Sequence, residues 1–158
     1  MLIFSPKENM KTSTLLIALL IAASAHAQVQ NPVHWTFTAQ KLSATSYAIH
    51  LTATIDAHWH TYSQTTPGGG PVATAIQFTA NPLVMLNGKP AEMGKMDQHF
   101  EKLFGVEVKQ YSSKVDFVQK ITLKKPVKTN LSGMINFMVC NDQECLPPSN
   151  QSFSLSLP

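Results

Sequence analysis

The sequence contains two cysteines, Cys140 and Cys145, and four residues separate them. An apolar run at residues 134–139 leads into the first cysteine, and Pro147-Pro148, which cannot donate ladder hydrogen bonds, follows the second. Asn141-Asp142 supplies turn chemistry, because short Asn and Asp side chains bond their own backbone. The stretch predicts a strand that enters a short loop, with one thiol on each side. Two thiols this close can form a disulfide with little chain movement, either as a permanent staple or as a pair that cycles.

The staple and the redox pair are the two interpretations of this loop. A disulfide that closes so short a loop removes little entropy from the unfolded chain, about 2 kcal/mol, whereas one that joins distant strands does more. Asp142 and Glu144 lie between the thiols, and their negative charge opposes thiolate formation. No basic side chain in the local sequence offsets that charge. The pair is thus typical of thiols that exchange when a partner supplies the activating environment, and the structural staple stays open as the alternative.

The elements that must position this loop have the pattern of short strands. Residues 47–55 alternate with a period of two, which is typical of a half-buried strand. The apolar face of that segment consists of Tyr47, Ile49, Leu51, Ala53 and Ile55. Further strands are predicted at residues 34–38, 58–62, 75–79, 83–86, 106–111, 115–123, 131–139 and 152–157. Because no sustained helical repeat occurs, these eight or nine strands predict an all-β domain, an immunoglobulin-like antiparallel β-sandwich.

Three connecting segments are predicted to be irregular. Residues 65–71 (Thr-Thr-Pro-Gly-Gly-Gly-Pro) have the composition of a loop, and residues 87–90 (Asn-Gly-Lys-Pro) that of a turn. Between residues 91 and 105 the apolar side chains are spaced irregularly. That spacing predicts a long loop that carries apolar side chains.

The N-terminus has the composition of a secretory signal peptide. A short basic segment precedes an apolar run at residues 15–23, too short to span a bilayer, and Ala25-His26-Ala27 forms a small-residue cleavage pattern. We predict a signal peptide at residues 1–27, with Met10 as an alternative start, and a mature periplasmic or otherwise exported domain at residues 28–158. A retained N-terminal anchor is the other interpretation. Export places the cysteines in a compartment where a disulfide persists.

The composition of the predicted mature domain argues against nucleic-acid binding. It has ten lysines, eight acidic residues and no arginine, which gives a net charge of +2. Nucleic-acid-binding domains usually gather basic residues on one face, and no such cluster is present in the sequence. The length suits one domain with its own core.

Three segments together resemble a known family. The stretch at residues 139–148, Val-Cys-Asn-Asp-Gln-Glu-Cys-Leu-Pro-Pro, is similar to the cysteine motif of the N-terminal periplasmic domain of the thiol:disulfide interchange protein DsbD. Residues 56–63 are similar to that family's aromatic-rich strand, and Leu103-Phe104-Gly105 to its cap loop. The resemblance covers about residues 33–157. It implies an immunoglobulin-like sandwich that takes electrons from a membrane-embedded donor and passes them to periplasmic thioredoxin-like proteins.

The resemblance also implies residue roles. Cys140 and Cys145 are the redox pair, and Cys145 forms the mixed disulfide with the partner. The surroundings of the pair are Tyr62, Asp142, Glu144 and the cap residues Leu103, Phe104 and Gly105. A cap protects the disulfide from stray thiols, because exchange needs access to a sulfur. The implied protein is a monomeric thiol–disulfide oxidoreductase or electron relay that needs no cofactor and takes no small-molecule substrate.

Two departures from the family pattern accompany the resemblance. The cysteine loop is one residue shorter than in the best-known members. The chain also stops at Pro158 without a membrane domain or a thioredoxin-like domain. We therefore expect the membrane electron donor to be a separate protein.

Two other functions compete with the redox relay. One is a non-catalytic secreted interaction module in which the disulfide is structural. The other is metal binding, since His58 and His60 on one strand would point to the same face, with Tyr62 beside them. Partly exposed strand histidines without a metal are the simpler interpretation of that pair, because the sequence offers no obvious third ligand.

Overall fold

The computed structural model describes residues 30–102 and 104–158, and within these residues it contains strands and turns but no helix. The predicted signal peptide at residues 1–27 and the cap residue Leu103 lie outside the described residues. Nine strands follow one another: β1 (Val33–Lys41), β2 (Ser46–Ile55), β3 (His60–Tyr62), β4 (Ala75–Phe78), β5 (Val84–Glu101), β6 (Val106–Leu123), β7 (Thr129–Phe137), β8 (Val139–Cys140) and β9 (Ser149–Leu157). Within the described part of the chain, no helix is long and apolar enough to cross a membrane.

The strands form two antiparallel sheets. The larger sheet has the order β1-β2-β6-β3-β8, and β5 pairs with the other edge of β6. The smaller sheet has the order β4-β7-β9. The long central strand β6 thus pairs with β2 and β3 on one side and with β5 on the other. The predicted fold class, an immunoglobulin-like antiparallel β-sandwich, is confirmed.

The core lies between the two sheets, and alternation along β2 supplies much of it. The predicted apolar face of β2 is buried, with Ile49, Leu51 and Ala53 at 0% exposure. These side chains share one core cluster with Leu131 and Ile135 of the smaller sheet. Burial of aliphatic side chains of this size contributes about 1.5–3 kcal/mol each, so this face fixes the register of β2 against its neighbours.

Aromatic side chains join the two sheets near the middle of the sandwich. The Trp35 ring of β1 lies 6.0 Å from the Phe117 ring of β6 and 5.3 Å from the Phe137 ring of β7, measured between centroids. The contact with Phe137 is edge-on, an arrangement that aromatic quadrupoles favour. Phe137 ends β7 directly before the chain crosses to the larger sheet, so this contact anchors the approach to the cysteines.

The predicted long loop at residues 91–105 was wrong, because β5 extends through Glu101 and pairs with β6 along its length. The predicted turn at residues 87–90 is a register shift within β5, followed by a second shift between Gly94 and Met96. Each bulge breaks the period of two, since the extra residue moves the following side chains to the other face. The irregular apolar spacing reflects these bulges. The predicted loop at residues 65–71 does lie outside the strands.

Three predicted strand boundaries also differ from the structure. Residues 106–111 and 115–123 form the single strand β6, which continues through Ser113 with a positive φ of 82°. Residues 131–139 divide at Met138 into β7 and β8, which belong to different sheets. The strand predicted at residues 58–62 begins only at His60, because His58 has a φ of 70° in the preceding turn.

Candidate functional site

The cysteine loop, residues 140–145, lies where the chain leaves the smaller sheet and joins the edge of the larger one. β8 pairs with β3, with His60 opposite Cys140 and Thr61 opposite Val139. The Thr61 hydroxyl donates a 2.9 Å hydrogen bond to the Met138 carbonyl. This side chain therefore holds the strand at the crossing point and fixes the position of Cys140.

Hydrogen bonds across the cysteine loop determine its shape. The Asn141 side-chain oxygen accepts from the backbone N–H groups of Gln143 and Glu144, both at 2.8 Å. The Asn141 N–H donates to the Glu144 carbonyl, and the Leu146 N–H to the Val139 carbonyl, each at 2.9 Å. The turn chemistry predicted for Asn141 is confirmed, and the loop is a tight hairpin that brings its two ends together.

Cys140 and Cys145 form a disulfide with an S–S distance of 2.07 Å and a Cα–Cα distance of 4.0 Å. Their environments differ. Cys140 is 2% exposed and packs with Tyr62 and Val108, whereas Cys145 is exposed to solvent. A thiol that attacks this bond from solution therefore reaches Cys145, because exchange needs access to the sulfur under attack.

An open cavity of about 530 Å³ adjoins the disulfide. The cysteine loop and Met138 before it line one part of the cavity. The other lining residues are His60 and Tyr62 from β3, His99 and Glu101 from β5, Phe104 from the segment after β5, and Gln110 from β6. Sequence reasoning missed His99 and Glu101, because the segment that carries them was predicted to be a loop. Strand alternation at residues 97, 99 and 101 was the signal that could have found them.

The predicted cap residue Phe104 lies at the rim of this cavity and rests on the glycine-rich loop. A Cβ added to Gly70 would lie 3.4 Å from the Phe104 Cβ and 2.7 Å from a Val106 methyl carbon, so only glycine fits beneath them. Gly105 has a φ of 68° and donates a 2.8 Å backbone hydrogen bond to the Glu101 carbonyl. The turn that presents Phe104 thus requires the conformational freedom of glycine at residue 105.

Tyr62 and His60 form a polar pair beside the buried cysteine. The Tyr62 hydroxyl lies 3.1 Å from His60 Nε2, and Tyr62 is 3% exposed. Burial raises the pKa of Tyr62 to about 12, and the negative charge of Glu101 adds to that rise, so the hydroxyl stays protonated. Burial lowers the pKa of His60, although the carboxylate of Asp142 partly opposes this. At neutral pH the pair is uncharged.

Acidic groups surround the exposed side of the disulfide. Asp142, Glu144 and Glu101 line the cavity, and His99 lies beside Glu101 and Asp97, with its Nδ1 2.9 Å from an Asp97 carboxylate oxygen. Carboxylates close to a thiol disfavour its thiolate form. These carboxylates therefore do not activate the thiols of the reduced pair.

A second network, which the sequence did not reveal, holds the end of β3. The Glu92 carboxylate accepts hydrogen bonds from the Ser63 hydroxyl at 2.7 Å, the Gln64 N–H at 2.6 Å and the Tyr111 hydroxyl at 2.7 Å. Burial and the bond to Glu92 raise the pKa of Tyr111. Ser63 directly follows Tyr62, so this carboxylate of β5 fixes the position of the residues beside the disulfide.

The histidines considered as metal ligands do not lie on one strand. His58 is exposed in the turn before β3, whereas His60 lies on β3 and lines the cavity. Within residues 30–102 and 104–158, no group of three or more His, Cys, Asp or Glu side chains is arranged to hold a metal ion.

The protein is an immunoglobulin-like β-sandwich that carries a disulfide on a hairpin. One cysteine of the pair, Cys140, is buried and the other, Cys145, is exposed. The family model described as "Thiol:disulfide interchange protein DsbD, N-terminal" matches residues 26–157, and the chain belongs to this family. No curated protein sequence matches the chain.

The chain is similar in fold to a solved bacterial domain, and two further solved structures match with lower TM-scores. The N-terminal periplasmic domain of ScsB from Proteus mirabilis has 20% sequence identity and a TM-score of 0.53, over 81% of this chain and 47% of that chain. The chain thus spans about half the length of that relative. The reduced DsbD N-terminal domain of Neisseria meningitidis has 14% identity and a TM-score of 0.48, over 77% and 84% of the two chains. The complex of the DsbD and PilB N-terminal domains from the same organism gives 12% identity and a TM-score of 0.49, over 82% and 88%.

Proposed function

We propose that the protein is an exported thiol–disulfide exchange domain that relays electrons through Cys140 and Cys145 to thioredoxin-like partners. Membership of the DsbD N-terminal family supports this function. The observation that carries the proposal is the asymmetry of the disulfide: both cysteines line an open cavity, but Cys145 is exposed whereas Cys140 is 2% exposed.

The asymmetry assigns a role to each sulfur. In the reduced protein the Cys145 thiolate attacks the disulfide of the partner, which forms a mixed disulfide and releases one partner thiolate. The Cys140 thiol then attacks Cys145, so that the Cys140–Cys145 disulfide forms and the second partner thiolate leaves. Two electrons pass to the partner and no cofactor takes part. Phe104 covers the pair when no partner is docked.

Export and partners complete the proposal. The predicted signal peptide places the domain outside the cytoplasm, and the homologous domain of ScsB is periplasmic. A membrane-embedded protein reduces the disulfide, and thioredoxin-like proteins in the same compartment accept the electrons. The domain acts as a monomer.

The reduction potential of the Cys140–Cys145 couple tests the proposal directly. Equilibration against a thiol buffer of known potential is expected to give about −270 to −180 mV, the range of exchange proteins. A value below about −300 mV would identify a structural staple and favour a non-catalytic interaction module.

Single-cysteine variants test the roles of the two sulfurs. In the Cys140→Ala variant the exposed Cys145 is expected to react with the neutral disulfide 4,4′-dithiodipyridine at least about tenfold faster than Cys140 does in the Cys145→Ala variant, because only accessible thiols exchange quickly. Both variants are expected to keep the circular dichroism of a β-sandwich. Equal rates, or loss of the fold in either variant, would contradict the assignment.

A further inference from the structure

His60 is the ionisable side chain that β-pairing places against the buried cysteine. It lies directly opposite Cys140 in the β3–β8 pair, and opposite residues in an antiparallel pair have Cβ atoms about 4.5–5.5 Å apart on the same face. Both residues line the cavity beside the disulfide. The imidazole therefore faces both Cys140 and solvent.

The exchange reaction requires a base at this position. Before Cys140 can attack Cys145, its thiol must lose a proton, because the thiolate is the nucleophile. Cys140 is 2% exposed and packs with Tyr62 and Val108, and burial of a thiol in general disfavours its charged form. A neighbouring side chain that lines the same cavity can accept the proton as the S–S bond forms.

We propose that His60 accepts the proton of the Cys140 thiol when that thiol attacks the mixed disulfide at Cys145, a role that rests on the proposed exchange function. The Cys140 sulfur forms a bond to the Cys145 sulfur, and the bond between Cys145 and the partner sulfur breaks. The partner leaves as a thiolate. The proton passes from Cys140 to the imidazole and from there, through the cavity, to the leaving thiolate or to water.

The surroundings of His60 suit a base at neutral pH. The Nε2 atom of His60 forms a hydrogen bond with the Tyr62 hydroxyl. In the tautomer in which Nε2–H donates this bond, Nδ1 carries the free lone pair that can accept a proton. Burial lowers the pKa of His60, which keeps the ring in its neutral, accepting form. The charged and titratable groups that face it are Asp142 of the cysteine loop and Asp97, His99 and Glu101 of β5. The carboxylates stabilise the imidazolium that forms when the proton arrives.

The reaction of the reduced protein with 4,4′-dithiodipyridine separates the two steps. Attack by Cys145 releases the first 4-thiopyridone at a rate proportional to the probe concentration. Attack by Cys140 releases the second in a step that is independent of that concentration. Absorbance of the product in a stopped-flow experiment follows both phases.

Replacement of His60 by alanine is expected to slow the second phase by at least about tenfold at about pH 7. This is less than the rate enhancement of about 10²–10⁴ that general bases typically contribute. The first phase is expected to stay within about twofold of the wild-type rate. In the wild type the second phase should level off above the pKa of His60, whereas in the variant it should keep rising with pH. Added imidazole should restore the second phase of the variant, because it can enter the space that the side chain leaves.

His58→Ala is the matched control, since this exposed histidine lies two residues away and does not line the cavity. It is expected to change neither phase.

The His60→Gln variant retains a hydrogen-bonding group beside Tyr62 but cannot accept the proton. It should therefore show the same slow second phase, without the empty space that the alanine variant leaves. An unchanged second phase in both His60 variants, or a slowing that is equal at every pH and is not rescued by imidazole, would overturn the proposal. Absence of the first phase in the wild type would instead refute the exchange function itself.

Discussion

His60 and Cys140 are Cα partners across the short β3–β8 pair, so an ionisable ring lies against the buried half of the disulfide. The pairing also partly buries His60, and this burial lowers its pKa from the ordinary value of 6.5. A histidine in this position makes stability depend on pH, because its proton affinity differs between the folded and the unfolded chain.

The sign of this dependence follows from the lowered pKa. Between the folded and unfolded pKa values of His60 the unfolded chain binds a proton that the folded chain does not, so the free energy of unfolding falls as pH drops below about 6.5. The contribution is fully present above that pH. Urea unfolding of the oxidised protein at about pH 8 and about pH 5 should therefore show a smaller loss of stability for His60→Gln than for the wild type. The same loss in both proteins would contradict the placement of His60.

The Glu92 network is expected to stabilise the fold beside the site. Replacing Glu92 by glutamine removes the charge that four donors share, and hydrogen bonds to charged groups contribute about 1.5–3 kcal/mol. We expect the free energy of unfolding, measured in urea, to fall by about 1–3 kcal/mol. Gln98→Ala, which removes an exposed hydrogen bond to Glu107, is the control and should change it by less than about 0.5 kcal/mol. Equal effects would mean that Glu92 is only a surface residue.

The cap hypothesis concerns access to the disulfide. Phe104 lines the cavity beside Cys145, so truncation to alanine should accelerate reduction of the disulfide by dithiothreitol by roughly a few-fold, because exchange depends on access to the sulfur. Phe100→Ala is the matched control, since that ring is 58% exposed and does not line the cavity. An unchanged rate for Phe104→Ala, or the same acceleration in both variants, would rule out a specific cap.

Gly133 marks a close contact in the smaller sheet. A Cβ at this position would lie 2.5 Å from Phe153 Cζ and would also meet the Gln77 carbonyl, which is backbone and cannot turn away. Gly133→Ala should therefore lower the free energy of unfolding by about 1–3 kcal/mol through overpacking. Gly68→Ala, where nothing lies within 4 Å of the added carbon, is the control and should be neutral or slightly stabilising. Comparable losses in the two variants would argue against this packing.

The sequence predicted the parts of the structure that depend on residues close together in the chain, namely strand alternation and turn formation. Alternation from Tyr47 to Ile55 identified the buried face of β2, because a period of two is imposed by the pleat itself. The turn at Asn141 followed from its side chain, which bonds the N–H groups two and three residues later. The cysteine loop could thus be described before the structure was known.

The rest of the site depends on pairings between distant residues, which no local pattern records. Only the beginning of β5 was predicted, at residues 83–86, because two bulges interrupt its alternation beyond that point. His99, Glu101 and the anchoring residue Glu92 lie in the part that went unrecognised. His58 and His60 were expected on one strand, but the positive φ of His58 places this residue in the turn before β3. The contact between His60 and the cysteine loop required knowledge that β8 crosses from one sheet to the other.

The backbone hydrogen bonds that bracket the cysteine loop have a kinetic consequence. The pairs Asn141–Glu144 and Val139–Leu146 hold both ends of the hairpin without help from the sulfur atoms, so we expect them to remain when the disulfide is open. The two thiols then meet at the high effective concentration of well-oriented groups within one molecule. In the proposed exchange, a partner that forms a mixed disulfide with Cys145 would be released by a unimolecular reaction that requires no second encounter. The hairpin would then keep the covalent complexes of the proposed electron carrier short-lived.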